Sequence, residues 1–409
     1  MTCPRPDLQA IPPGLIPCDK GGIEAVDPWP QPPRPRPPRP NVPGPALVIQ
    51  GGGAKGSVAV GMALGLIQDR GVDARILRGN SVGALIGAIL AQAPTGALSL
   101  AQLRRQATVL EHIWRTEIRG NRSVYRTRTP RWRGGKWASV VKFALGRTDS
   151  VYDTAPLRAL IQRYVSTYHI RHSGRDLAVG MVGLRSGRYF EQSGRDGIWP
   201  RDLLASAAIP LLASAAIPGV FPPRPLTCED MLVDGCVRNY TSIGSAIKAG
   251  ATEVYVLVCG PMRRDAETGA LESCIERGSY DDWRRARGVT LIARALEIHS
   301  DEVATDDLNG ALAWNRRLDG GTVTVRGYGS GGTILDKRRV PIHVIAPEQP
   351  YGAGALDFDP ALIAAAIDHG REVGADPGRW LIHDTTTDTA FSSAVRRTED
   401  AEDSNGRGE

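Results

Sequence analysis

Between Ala46 and Ile345 the chain alternates short β-branched or aliphatic runs with longer stretches whose apolar residues recur at helical spacing. The runs Ala46 to Gln50 and Arg75 to Arg78 predict strands, and the stretches from Ser57 to Asp69 and from Val82 to Gln92 predict helices. Further strands are predicted at Leu177 to Leu184, Met231 to Val233, Glu253 to Cys259 and Pro341 to Ile345, with a helix from Ser242 to Ala249. Strand and helix in alternation build a parallel sheet covered by helices on both faces. The expected fold is therefore a three-layer α/β/α domain with a mainly parallel central sheet and an insertion, whose strand order cannot be read from the pattern.

The two ends do not share this pattern. Residues 28 to 45 are dominated by proline and arginine, a composition that keeps chain extended and solvated. Residues 1–45 are expected to be a disordered segment, an inert linker with a PxxP ligand as the alternative. Residues 385–409 are expected to be a disordered polar tail. The folded domain is placed at 46–384, with a basic, Trp-containing insertion near 114–147. One internal repeat stands out, because the octapeptide Leu203 to Pro210 recurs unchanged as Leu211 to Pro218. Two short copies do not make a solenoid. Since Pro210 removes a helical hydrogen bond, a broken helix or a loop is expected there.

Composition narrows the compartment and the partners. Six cysteines (Cys3, Cys18, Cys228, Cys236, Cys259, Cys274) lie scattered, without zinc-site spacing or disulfide-scaffold density, so they read as reduced thiols. Prolines interrupt the first twenty residues where an export signal needs an apolar run, and a cytoplasmic location is expected. The apolar stretch Leu203 to Phe221 is divided by Pro210 and Pro218, which favours a buried segment over a membrane span. A formal charge of +6 favours anionic surfaces, nucleic acid or acidic lipid.

Three short motifs carry chemistry. Gly79-Asn80-Ser81-Val82-Gly83 fits G-x-S-x-G between a strand and an apolar helix, the context in which a sharp turn presents the serine. Gly51-Gly52-Gly53-Ala54-Lys55-Gly56 follows the first strand and opens a helix, so its amides form an anion cradle. A Walker A loop needs Gly-Lys-Ser/Thr, whereas the order here is Lys55-Gly56-Ser57. A dinucleotide fingerprint is formally matched by Gly51, Gly53 and Gly56, but the second strand runs into Ser81 instead of an acidic residue. An oxyanion hole for attack by Ser81 is the third reading. Asp234 ends an apolar strand just before Gly235, and a carboxylate needs a dry pocket to act as a base near neutrality. His343, His369 and His383 follow Asp234 in the order of a Ser-Asp-His triad and stand as the alternative bases.

Taken in order, the two glycine motifs, the segment Ala213 to Pro223 and Asp234-Gly235-Cys236 resemble the patatin-like phospholipases, from about Ala46 to Pro360. Cys236 departs from the Gly or Ala usual at its position. The resemblance implies a patatin-like fold, acyl-ester hydrolysis of lipids, and no metal or other cofactor. By position it implies Ser81 as nucleophile, Asp234 as general base, and Gly52, Gly53 and Ala54 as oxyanion donors, with Gly51, Gly56, Gly79, Gly83 and Gly235 completing the motifs. The substrate is expected to be a fatty-acyl ester of a (phospho)lipid. A broad carboxylesterase or lysophospholipase, or an inactive lipid-binding or interaction protein on the same scaffold, are the alternatives. From Trp114 to Arg147 many arginines and lysines interleave with Trp114, Tyr125, Trp132, Trp137 and Phe143 against one acid, Glu117. That mixture suits peripheral contact with an anionic membrane surface, with a solvated insertion as the alternative and no nucleic acid expected.

Overall fold

The computed structural model describes residues 43–128, 135–193, 208–225, 230–274, 284, 289–318, 323–326, 334–337, 339–351 and 354–384. The proline-arginine tract before residue 43, the polar tail, residues 203–207 of the first octapeptide copy, Trp132 and the cysteines Cys3, Cys18 and Cys228 lie outside them.

Eight strands form one sheet: β1 (Gly44–Ile49), β2 (Ile76–Gly79), β3 (Asp176–Gly183), β4 (Tyr189–Ser193), β5 (Arg224–Pro225), β6 (Met231–Asp234), β7 (Ala251–Leu257) and β8 (Ile342–Ile345). Their order is β8-β7-β1-β2-β3-β6-β5, with β4 also paired to β3. From β8 to β3 every pairing is parallel, whereas β4, β5 and β6 run antiparallel to their neighbours. The helices of the described residues include α1 (Gly56–Leu64), α2 (Val82–Leu90), α3 (Ser99–His112), α4 (Gly135–Ala144), α5 (Ala155–Tyr164), α6 (Thr167–His172), α7 (Ala208–Ser214), α8 (Ile243–Lys248), α9 (Val289–Arg317) and α10 (Pro360–Ala375).

The three layers follow from the two-residue period of the strands. In β1, Leu47 and Ile49 join one core with α1, α2, α3 and α10, while Ala46 and Val48 join a second core with α8 and α9. A strand buried on both faces reads as an unbroken apolar run, which is how β1 appears in the sequence. The helices α1 and α2 are apolar all round because each is buried all round. Helix α10 lies so close to α1 that a Cβ at Gly61 would meet the Ile367 carbonyl.

Two expectations need correction. Pro210 lies inside α7 (Ala208–Ser214), which among the described residues continues unbroken past it, while the rest of the first octapeptide copy lies outside them. In the basic segment, Trp114 and Tyr125 do not face solvent but are 5% and 8% exposed, closing the core beneath Phe221 and Phe358. Among the described residues no helix is long and apolar enough to cross a membrane.

Candidate functional site

The three motifs meet because three chain segments leave the sheet at one edge. Ile49 is in register with Gly79, and Gly79 with Val179, so the loops after β1 and β2 emerge side by side. Strand β6 runs the other way and pairs Asp234 with Met181, which returns the carboxylate to the level of the turn after β2. Ligands of open α/β sheets bind outside the carboxyl ends of the strands, and this is such a crevice.

Ser81 sits at φ 53° and ψ −127°, and among the described residues it is the one non-glycine with positive φ. Such a conformation costs on the order of 1–3 kcal/mol and persists only where its surroundings hold it. They do so through five hydrogen bonds. The Gly83 N–H donates to the Asn80 carbonyl (2.9 Å) and the Ala84 N–H to the Ser81 carbonyl (3.0 Å), starting α2. The Asn80 side chain donates to the Asn239 carbonyl (2.7 Å) and accepts from the Tyr189 hydroxyl (3.0 Å). The Ser81 N–H itself donates to Ser214 Oγ (3.0 Å). Two residues to either side of the serine only glycine fits, since a Cβ at Gly83 would strike the Ile49 carbonyl and one at Gly79 the Gly83 backbone.

Ser81 and Asp234 are 5% and 3% exposed, and the serine hydroxyl lies near enough to the carboxylate to pull its pKa down. Asp234 also accepts from the Cys236 N–H at 2.9 Å. Burial pushes its pKa up to about 6, against the opposing pull of the Cys236 N–H, the Ser81 hydroxyl and the Cys236 thiol. Burial, then the neighbouring carboxylate, raises the Cys236 thiol, and burial pushes Cys259 up to about 12, so both stay protonated near neutrality. Cys236 packs against Gly51, which sets the residue beside the base against the glycine loop.

In that loop the expected donors divide. The Ala54 N–H is donated to the Ala355 carbonyl at 2.7 Å, because residues 354–358 lie across the loop. Gly53, at φ +57°, is held so close to this strap that a Cβ there would meet the Ala355 carbonyl. Among the described residues the Gly52 and Gly53 amides have no acceptor. The strap is tied down where Tyr125 donates its hydroxyl to the Leu356 carbonyl (2.6 Å) and Phe358 its N–H to Asn121 Oδ1 (2.7 Å).

From Ser81 an apolar cavity runs along α2, over Val82, Leu85 and Ile89, with Ile161 of α5, Trp114, Phe221 and Phe358 on its other walls and Tyr164 and Val165 also lining it. Its enclosed volume is about 90 Å³, with further space that opens to solvent at the mouth. From Ser81 to Ile89 the helix rises about 12 Å at about 1.5 Å per residue.

The triad alternatives lie elsewhere. His343 stacks on Tyr255 and stands 3.7 Å from Glu253, while His383 packs beside it and His369 stacks on Tyr351. None of the three acts on Asp234. Among the described residues no three His, Cys, Asp or Glu side chains gather closely enough to hold a metal ion.

Ser214 carries no signal of its own in the sequence, and its place emerges only from the fold. The second octapeptide copy touches both motif residues: Ser214 holds the Ser81 N–H, and the Ala216 carbonyl accepts from the Asp234 N–H at 3.1 Å.

The family model described as "Patatin-like phospholipase" matches residues 47–247. No curated protein matches the chain. Among solved structures, VipD from Legionella pneumophila is 13% identical with a TM-score of 0.34, over 82% of this chain and 66% of that one.

Proposed function

This chain belongs, through residues 47–247, to the patatin-like phospholipase family, and from that premise we propose that it hydrolyses fatty-acyl esters of (phospho)lipids with Ser81 as nucleophile and Asp234 as its general base. The family consists of lipid acyl hydrolases. What supports the finer reading is one observation: the sheet register brings Ser81, which lines an apolar cavity, beside a buried carboxylate whose pKa is pushed up to about 6. A serine hydroxyl needs a base to take its proton, and a dry carboxylate of that pKa is ionised yet basic at neutral pH.

In the proposed reaction, Ser81 Oγ attacks the ester carbonyl carbon while its proton passes to Asp234. The oxygen of the tetrahedral intermediate takes the negative charge, facing the Gly52 and Gly53 amides. The bond from carbon to the leaving oxygen then breaks, and Asp234 returns the proton to the departing alcohol. Water enters next, gives a proton to Asp234 and attacks the acyl-enzyme; the fatty acid leaves and the proton returns to Ser81. The acyl chain lies along α2, where each buried methylene contributes about 0.8 kcal/mol.

Product analysis by mass spectrometry tests this on mixed phospholipid liposomes. Wild type is expected to release free fatty acid, and Ser81→Ala to release none above the buffer control. Equal release by both proteins, or none by either, contradicts the proposal.

A further inference from the structure

The outer face of α4 has an apolar stripe that the fold does not use. Trp137, Val141 and Leu145 recur every four residues and are 80%, 53% and 62% exposed. The Leu145 N–H still donates to the Val141 carbonyl, so the helical spacing extends to the third of them. The opposite face is the packed one: Ser139 is buried, and the Phe143 ring lies against Gly219, between the cavity-lining Ile217 and Phe221. The exposed stripe is thus carried on the far side of a helix whose near side touches the wall of the candidate site.

Charge identifies what such a face meets. Between Ile118 and Thr148 there are nine Lys and Arg and no Asp or Glu. Exposed Lys142 and Arg147 border the stripe, and the next two acids, Asp149 and Asp153, are paired with Arg128 and Arg126 at 2.7 and 2.8 Å. An amphipathic helix with tryptophan and aliphatic residues on one face and cations beside them has the composition that settles into the headgroup layer of an anionic bilayer. Trp137 supplies the ring favoured at that depth.

We propose that the face of α4 formed by Trp137, Val141 and Leu145, bordered by Lys142 and Arg147, docks on an anionic lipid surface and holds the mouth of the cavity against it. This deepens the lipid-ester reading and rests on it for the purpose that docking serves.

Flotation with vesicles of phosphatidylcholine, alone or mixed with phosphatidylserine, tests the proposal in the Ser81→Ala background, where no lipid is consumed. The protein is expected to float with the mixed vesicles and to be released by salt. Combined Trp137→Ser, Val141→Ser and Leu145→Ser should lower partitioning more than tenfold. Combined Lys142→Glu and Arg147→Glu should lower it by at least about tenfold, since each cation near the surface is worth about fivefold. In otherwise wild-type enzyme neither set should alter the melting temperature or turnover of a soluble short-chain ester. Flotation unchanged in both variants, or absent in the parent protein, overturns the proposal. So does a triple variant that melts well below wild type, or whose association state alone changes, for then the stripe is a protein contact. Loss of soluble-ester turnover in wild type, with flotation still dependent on α4, sinks the catalytic reading and leaves docking standing.

Discussion

Replacing Asp234 by Asn removes a charge that the folded protein holds in a nearly dry place, and the consequence for stability can be worked out. Burial raises the Asp234 pKa from 3.8 to about 6 despite the opposing pull of the Cys236 amide, the Ser81 hydroxyl and the Cys236 thiol. The folded state therefore binds this proton more tightly than the unfolded chain does. Below about pH 4 the group is protonated in both states and has no effect on the balance. As pH rises from about 4 to about 6 the unfolded chain ionises first, and stability falls by about 1.4 kcal/mol per pH unit, to a total of about 3 kcal/mol. Above that window the loss is constant. Asn keeps an oxygen that accepts from the Cys236 N–H but never ionises. The variant is therefore expected to match wild type near pH 4 and to be more stable by about 3 kcal/mol at pH 8, or about 5 °C in melting temperature for a domain of this size. Paired thermal and urea melts of the two proteins across this range provide the check. A variant less stable than wild type at pH 8, or a difference that does not change with pH, would refute the reasoning.

Three further outcomes follow from the same geometry. For a soluble ester, kcat/KM should rise with pH through an apparent pKa of about 6 as Asp234 ionises, so a flat profile between pH 5 and 7 would exclude it as the base. Ser214→Ala leaves the Ser81 N–H without its acceptor, at about 1–3 kcal/mol, and is expected to lower kcat about tenfold or more with KM little changed; steady-state kinetics at full activity would contradict this. Ile89→Phe fills the inner end of the cavity, so in a chain-length series short acyl esters should be unaffected while longer ones lose about fourfold per excluded methylene; a uniform loss at all lengths would place the acyl chain elsewhere.

The parallel half of the sheet was legible because β1, β2, β3 and β7 are apolar on both faces, and each predicted strand lies within two residues of its place. At the antiparallel edge β6 was legible as Met231 to Val233, but β4 (Tyr-Phe-Glu-Gln-Ser) was not, because it is only half buried and carries a weak pattern. Ser81 and Asp234 could be singled out because a strained turn and a buried strand end leave glycines beside them. Ser214 could not, since its role depends on where the second octapeptide copy lands, and nothing local distinguishes it from Ser206 in the first. The aromatic residues of the basic segment looked alike in sequence, yet Trp114 turns into the core and Trp137 to the outside. Only packing separates them. The contact between Ala355 and Ala54 joins positions 301 residues apart, beyond the reach of any local pattern.

The most direct measurement is covalent: intact-mass and peptide-mapping analysis after treatment with a fluorophosphonate, which reacts only with an activated serine. Wild type should gain one adduct, on Ser81, at a rate that falls as the pH drops through about 6. Ser81→Ala should gain none, and Asp234→Asn should react far more slowly while remaining folded. An adduct on another serine, or labelling of Asp234→Asn at the wild-type rate, would contradict a proton shared between these two side chains.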